Sequence, residues 1–101
     1  MRTPFIAGNW KMHKTVAEGV ELAAALKTSL AAVSSMELAV CPPATAVAAV
    51  ADVLRGSNIG VGTQNMYWED QGAYTGEISP LMVKELAQYV IIGHSERRQY
   101  F

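Results

Sequence analysis

Four short, almost uninterrupted apolar runs separated by helical segments constrain this chain more than any other feature. They are PFIAGN at 4–9, ELAVC at 37–41, IGVGT at 59–63 and YVIIG at 89–93. Runs that are apolar at nearly every position, rather than every second one, fit a parallel sheet covered on both faces. The intervals carry helical patterning. Thr15 opens T-V-A-E, a capping box in which Glu18 reaches back. Val16, Val20, Ala23, Leu26, Leu30 and Val33 then follow three or four apart, as one apolar stripe. A second helix is expected from about Ala44 to Leu54, with Val47, Val50 and Leu54 inward and Gly56 as a left-handed cap. A third begins at Ser79-Pro80, an N-cap followed by the proline that suits a first helical position. Between Gln64 and Ile78 runs a polar, aromatic stretch too long for an ordinary βα connection, and hence a candidate functional loop.

The order β-α-β-α-β-loop-α-β requires a parallel α/β sheet with right-handed crossovers. A doubly wound open sheet and part of an eight-stranded barrel both satisfy it, and periodicity does not separate them. After the fourth run only His94 to Phe101 remain, too few for a helix that would cover that strand. The chain is therefore expected to be incomplete, which favours the barrel. No internal boundary, repeat or linker interrupts residues 1–101.

Composition narrows the partners. A formal net charge of −1 gives no electrostatic reason for nucleic acid or an anionic membrane. No apolar run approaches the roughly 18 residues of a membrane span, and the N-terminus does not resemble a secretory signal. Cys41 is the single cysteine, so no internal disulfide can form. A cytoplasmic protein is expected.

Ligands of parallel α/β folds gather at the C-terminal ends of strands. There the first run gives way to Asn9, Lys11 and His13, and the fourth to His94, Ser95, Glu96, Arg97 and Arg98. Each has a plain reading: Asn9 as a turn residue, Lys11 and His13 as solvated surface groups, the arginines as salt-bridge partners. Ser95-Glu96 reads as the start of a short helix. His94 would then feel the positive end of its dipole and accept a backbone N–H, and both effects hold an imidazole neutral.

Together these signals resemble one family. AGNWKMH at 7–13, GAYTGEIS at 72–79 and GHSERR at 93–98 are similar to the first-strand, third-loop and fourth-strand motifs of triosephosphate isomerases, in the family's order. CPP at 41–43 and QNMYW at 64–68 fit as well, so the resemblance covers the whole chain. It implies a parallel (β/α)8 TIM barrel, of which this chain supplies about the first three and a half βα units. The implied reaction interconverts dihydroxyacetone phosphate and glyceraldehyde 3-phosphate through an enediolate, with no metal or organic cofactor.

Roles carry over by matching position. Asn9 positions the substrate and orients Lys11; Lys11 stabilises negative charge on the phosphate and the reacting oxygen. His94 is the neutral electrophile, a known property of the family rather than a deduction from this chain. Ser95 and Glu96 support it. Thr75, with Tyr74 beside it, inserts into a neighbouring subunit of a homodimer, and Glu77 pairs with Arg97 at the loop's base. The family's base glutamate and lid match nothing in these residues, so this chain alone is expected to be inactive without the C-terminal remainder of the barrel.

Competing motifs fall short. G60-V-G62-T-Q-N65 starts like a dinucleotide fingerprint but puts Asn where the third Gly belongs and opens no helix. His94-Ser95-Glu96 mimics the H-x-E of zinc deaminases, yet no P-C-x-x-C accompanies it. His13 has no second ligand at metal-like spacing. A non-enzymatic reading also stands, that of a folding or interface fragment whose long loop makes contacts without chemistry.

Overall fold

The structure, a computed structural model, describes residues 4–91. Its elements are β1 (Phe5–Asn9), α1 (Val16–Ser29), β2 (Glu37–Cys41), α2 (Ala44–Leu54), β3 (Ile59–Thr63), α3 (Pro80–Leu86) and β4 (Tyr89–Val90). All four strands are parallel and hydrogen-bonded in the order β1-β2-β3-β4. Sequential order without a reversal point, combined with crossovers of one hand, puts every helix on the same side. A doubly wound sheet requires a reversal, so the barrel alternative is the one that survives.

Burial follows that arrangement. Leu38, Val40, Ile59 and Val61 point outward from the sheet and join Ala23, Val47, Val50, Leu54 and Val83 of the helices in one core cluster. The opposite, concave face carries mostly small residues: Ala7, Ala39, Cys41, Gly60 and Gly62, flanked by Phe5 and Tyr89. Flat strands three places apart would lie about 14 Å from each other, at about 4.8 Å per step. The Phe5 and Tyr89 rings nonetheless meet with centroids 4.9 Å apart, so the sheet is strongly curled. Glycine is required at position 60, where a Cβ would lie 2.7 Å from Tyr89 Cε2.

The expected helices form where their caps lie. Thr15 and Glu18 make both bonds of the capping box, Thr15 N–H donating to Glu18 Oε1 at 2.9 Å. Ser79 caps α3 by accepting from Met82 N–H, with Pro80 at the first position. Two expectations need correction. The α1 helix stops at Ser29, and Val33 follows in a turn that donates to the Leu30 carbonyl. Nor is β1 buried on both faces: all five residues are exposed, Ile6 by 54%, because β1 is the edge strand with no neighbour on one side. The fourth run is seen as strand only over Tyr89–Val90; residues 92 and 93 lie outside the described residues.

Candidate functional site

The concave face opens at the C-terminal ends of the strands, and three polar residues, Asn9, Lys11 and Gln64, meet there. In β1, inward-facing positions alternate through Phe5, Ala7 and Asn9, so Asn9 is the last inward residue of the strand. Its Oδ1 accepts the backbone N–H of Lys11 at 2.9 Å. This short-range bond bends the chain out of the ladder, and Lys11 takes a left-handed backbone with φ of 52°. Such a conformation is costly for a residue with a Cβ and persists only where surrounding bonds hold it. Gln64, the first residue beyond β3, supplies a second hold. Its Nε2 donates to the Lys11 carbonyl at 2.7 Å and to the Cys41 carbonyl at 2.9 Å.

The Cys41 carbonyl also accepts the Trp10 N–H at 3.2 Å, so the end of β2 anchors both neighbours. Beneath this cluster the buried Cys41 thiol has its pKa raised by desolvation and stays neutral near pH 7. Asn9 and Lys11 are exposed at the mouth. A lysine whose backbone is held on an open rim beside a carboxamide suits binding of an anionic, oxygen-rich ligand.

The long loop after β3 is a separate, self-supported structure. Tyr67 N–H donates to the Ile78 carbonyl at 2.7 Å, closing its base, and Asn65 Nδ2 donates to Glu77 Oε2 at 2.9 Å. Tyr67 and Tyr74 stack with ring centroids 4.3 Å apart. Gly76 turns the chain at φ of 88°, where a Cβ would meet no atom but the backbone itself disfavours one. Trp68, 77% exposed, and the exposed Tyr74 and Thr75 project from this frame.

Of the residues named from the sequence, Asn9 and Lys11 are brought together at the strand mouth. Thr75, Tyr74 and Glu77 lie on the loop, with Glu77 at its base against Asn65. His94, Ser95, Glu96 and Arg97 lie outside the described residues. His13 lines a shallow groove with Trp10, Lys14 and Glu18. Sequence reasoning passed over Gln64 and Asn65 as individuals. The available signal was that a carboxamide follows the end of β3 much as Asn9 ends β1. Among the described residues, no group of three or more His, Cys, Asp or Glu could hold a metal ion, and no helix is long and apolar enough to cross a membrane.

A larger cavity of about 700 Å³ lies at the other end, where Glu37, Ile59 and Tyr89 begin their strands beside Gly60. In parallel α/β folds that end serves stability and the C-terminal end serves chemistry. Position outweighs size here, and the rim of Asn9, Lys11 and Gln64 is the candidate site.

Comparison with known proteins agrees with this geometry. The sequence profile of the family described as triosephosphate isomerase matches residues 4–101. The triosephosphate isomerase of Moorella thermoacetica is 56% identical over 102 aligned residues, covering 100% of this chain and 41% of the relative. That of Clostridium botulinum strain Loch Maree is 59% identical, again over 41% of its length. The crystal structure of triosephosphate isomerase from Bartonella henselae superposes with a TM-score of 0.89 at 46% identity, covering 96% of this chain and 40% of that one. The chain thus spans about two-fifths of the length of the relatives it matches, and its sheet and helices are the first βα units of a TIM barrel. Fold, motif order and whole-chain similarity lead to one conclusion: this chain belongs to the triosephosphate isomerase family.

Proposed function

We propose that this chain carries the electrostatic half of a triosephosphate isomerase active site, interconverting dihydroxyacetone phosphate and glyceraldehyde 3-phosphate once the rest of the barrel is present. The observation that carries this reading is the convergence of Asn9 and the left-handed Lys11 at the strand mouth. The Lys11 ammonium offsets charge on the substrate phosphate and on the oxygen that becomes anionic as a proton leaves the adjacent carbon. Asn9 fixes the backbone that aims it. His94, in the family's fourth-strand motif, donates to the substrate carbonyl as a neutral imidazole and moves a proton between the two oxygens, with Ser95 and Glu96 supporting it. The substrate carbonyl itself acidifies the C–H bond, so the reaction calls for no cofactor. The base glutamate comes from the family's later strands.

Residues 1–101 belong to one barrel domain in this reading, and the enzyme acts in the cytoplasm as a homodimer. The projecting loop, with Tyr74 and Thr75 at its tip and Glu77 at its base, supports the dimer, and Arg97 is the partner that the family resemblance implies for Glu77.

Mixing this chain with the C-terminal remainder of the Moorella thermoacetica relative, or joining the two in frame as a completed enzyme, tests the proposal. Turnover of dihydroxyacetone phosphate is expected from the combination and not from the chain alone. Lys11→Met in the completed enzyme should lower kcat by about 10²–10³-fold, the scale of losing one stabilising partner of a developing oxyanion. Strong turnover by the isolated chain, or none by the folded combination, contradicts the proposal.

A further inference from the structure

Gln64 ties the Lys11 turn to the sheet from far away in sequence. Its partners are both carbonyl oxygens, 2.7 Å away at Lys11 and 2.9 Å away at Cys41. Carbonyls only accept, so the group facing them must be the NH2, and both of its protons are committed. Gln64 leaves the end of β3, Cys41 ends β2, and Lys11 follows the end of β1. One carboxamide therefore fastens three strand ends at the rim where the proposed substrate charge would lie. The bond to Lys11 spans 53 residues, against two for the bond from Asn9. Asn9 holds the N–H side of the Lys11 peptide and Gln64 the C=O side. With φ at 52°, Lys11 occupies a conformation that relaxes readily once one hold is lost.

We infer that Gln64 is a positioning residue for this reaction: it clamps the Lys11 carbonyl to the end of β2 and so fixes where the Lys11 ammonium sits for an anionic phosphate-bearing substrate. The inference rests on the reading of Lys11 given above. Gln64 acts through Lys11, so its contribution vanishes when the Lys11 charge is gone. A residue that served stability alone would contribute equally with or without that charge.

The test is a double-mutant cycle in the completed enzyme, with Gln64→Leu, Lys11→Met and the pair, reading kcat/KM and competitive inhibition by inorganic phosphate, each normalised to folded protein by circular dichroism. Gln64→Leu should lower kcat/KM by about 10–100-fold, the scale of a displaced catalytic group. It should also weaken phosphate inhibition by about tenfold, and both effects should shrink to less than about twofold in the Lys11→Met background. If Gln64→Leu does not fold, Gln64→Asn serves the same cycle. It is shorter by one carbon–carbon bond of about 1.5 Å and cannot span both carbonyls.

Equal penalties in both backgrounds, or no penalty in the parent, overturn the role of Gln64 alone. A Lys11→Met variant that keeps full turnover overturns the reading of Lys11 beneath it, and the inference with it.

Discussion

The Asn9 side-chain oxygen accepts the Lys11 backbone N–H at 2.9 Å, across two residues, and Lys11 turns left-handed at φ of 52° as it does so. The bond shows the turn-shaping task of this asparagine, which variants can separate from the substrate contact proposed above. Asn9→Asp keeps an acceptor for the Lys11 N–H but places a carboxylate beside the proposed phosphate site, whereas Asn9→Ala loses the turn. Asn9→Asp should raise KM in the completed enzyme by about tenfold or more, since a like charge at close range costs above 1 kcal/mol. It should leave the melting temperature close to that of the parent. Asn9→Ala should lower kcat and also destabilise the rim. Steady-state kinetics and thermal melts on the same samples separate the two.

Gly62 faces Cys41 across the concave side of the sheet. A Cβ there would lie 2.8 Å from Cys41 Sγ, 3.1 Å from Tyr89 Cβ and 3.3 Å from the Tyr89 carbonyl. Two of these neighbours are backbone or adjoin it and yield little. Gly62→Ala is therefore expected to cost about 1–3 kcal/mol, the usual range for overpacking. Adding Cys41→Ala should restore part of that loss by removing the sulfur while the Tyr89 contacts remain. Urea denaturation midpoints of the two single variants and the pair measure the coupling.

Helix α1 depends on a cap whose acid is pH-sensitive. The Glu18 carboxyl is held below its ordinary value by the Thr15 backbone N–H first and the Thr15 hydroxyl second. A depressed folded-state value means that the stabilisation is present above the unfolded pKa and is lost as pH falls through the folded one. Stability should therefore decline through and below the ordinary carboxylate range, and Glu18→Gln should flatten the part of that decline owed to this residue. Because Glu18 lies on the surface, the effect is small and salt-sensitive. Thr15→Ala should cost about 1 kcal/mol at neutral pH through loss of the cap. Urea titrations at several pH values check both.

Cys41 carries the opposite sign. Desolvation raises its thiol pKa, so its contribution is fully present below the unfolded value of about 8.5 and is lost as pH rises towards the folded one. The native thiol should react with iodoacetamide far more slowly than a urea-unfolded control at the same pH, because little thiolate forms and access is closed. Mass spectrometry of timed samples gives both rates; equal rates would mean that the site is open.

The elements themselves were legible because their causes are local. The capping box at Thr15 and Glu18, the Ser79-Pro80 start and the stripe of Val47, Val50 and Leu54 act over one or two turns, and the corresponding helices start where those signals lie. The stripe through Val33 overran α1 because apolar spacing continues into the following turn, which buries the same side without remaining helical. Asn9 and Lys11 were legible as a pair through the strand-end rule and the family resemblance. Gln64 was not, since nothing near it in sequence indicates a carbonyl presented 53 residues earlier.

By itself the sequence determined an alternating α/β chain, its parallel strands, its caps and the family to which it belongs, all properties written in short-range patterns. Tertiary structure decided the rest. Strand order chose the barrel arc over the doubly wound sheet, and edge position left β1 exposed despite its apolar composition. Curvature brought Phe5 to Tyr89, and the common end of three strands brought Gln64 to Lys11. The physical reason is shared: each of these contacts depends on register and curl accumulated over several strands, and no single segment encodes that sum.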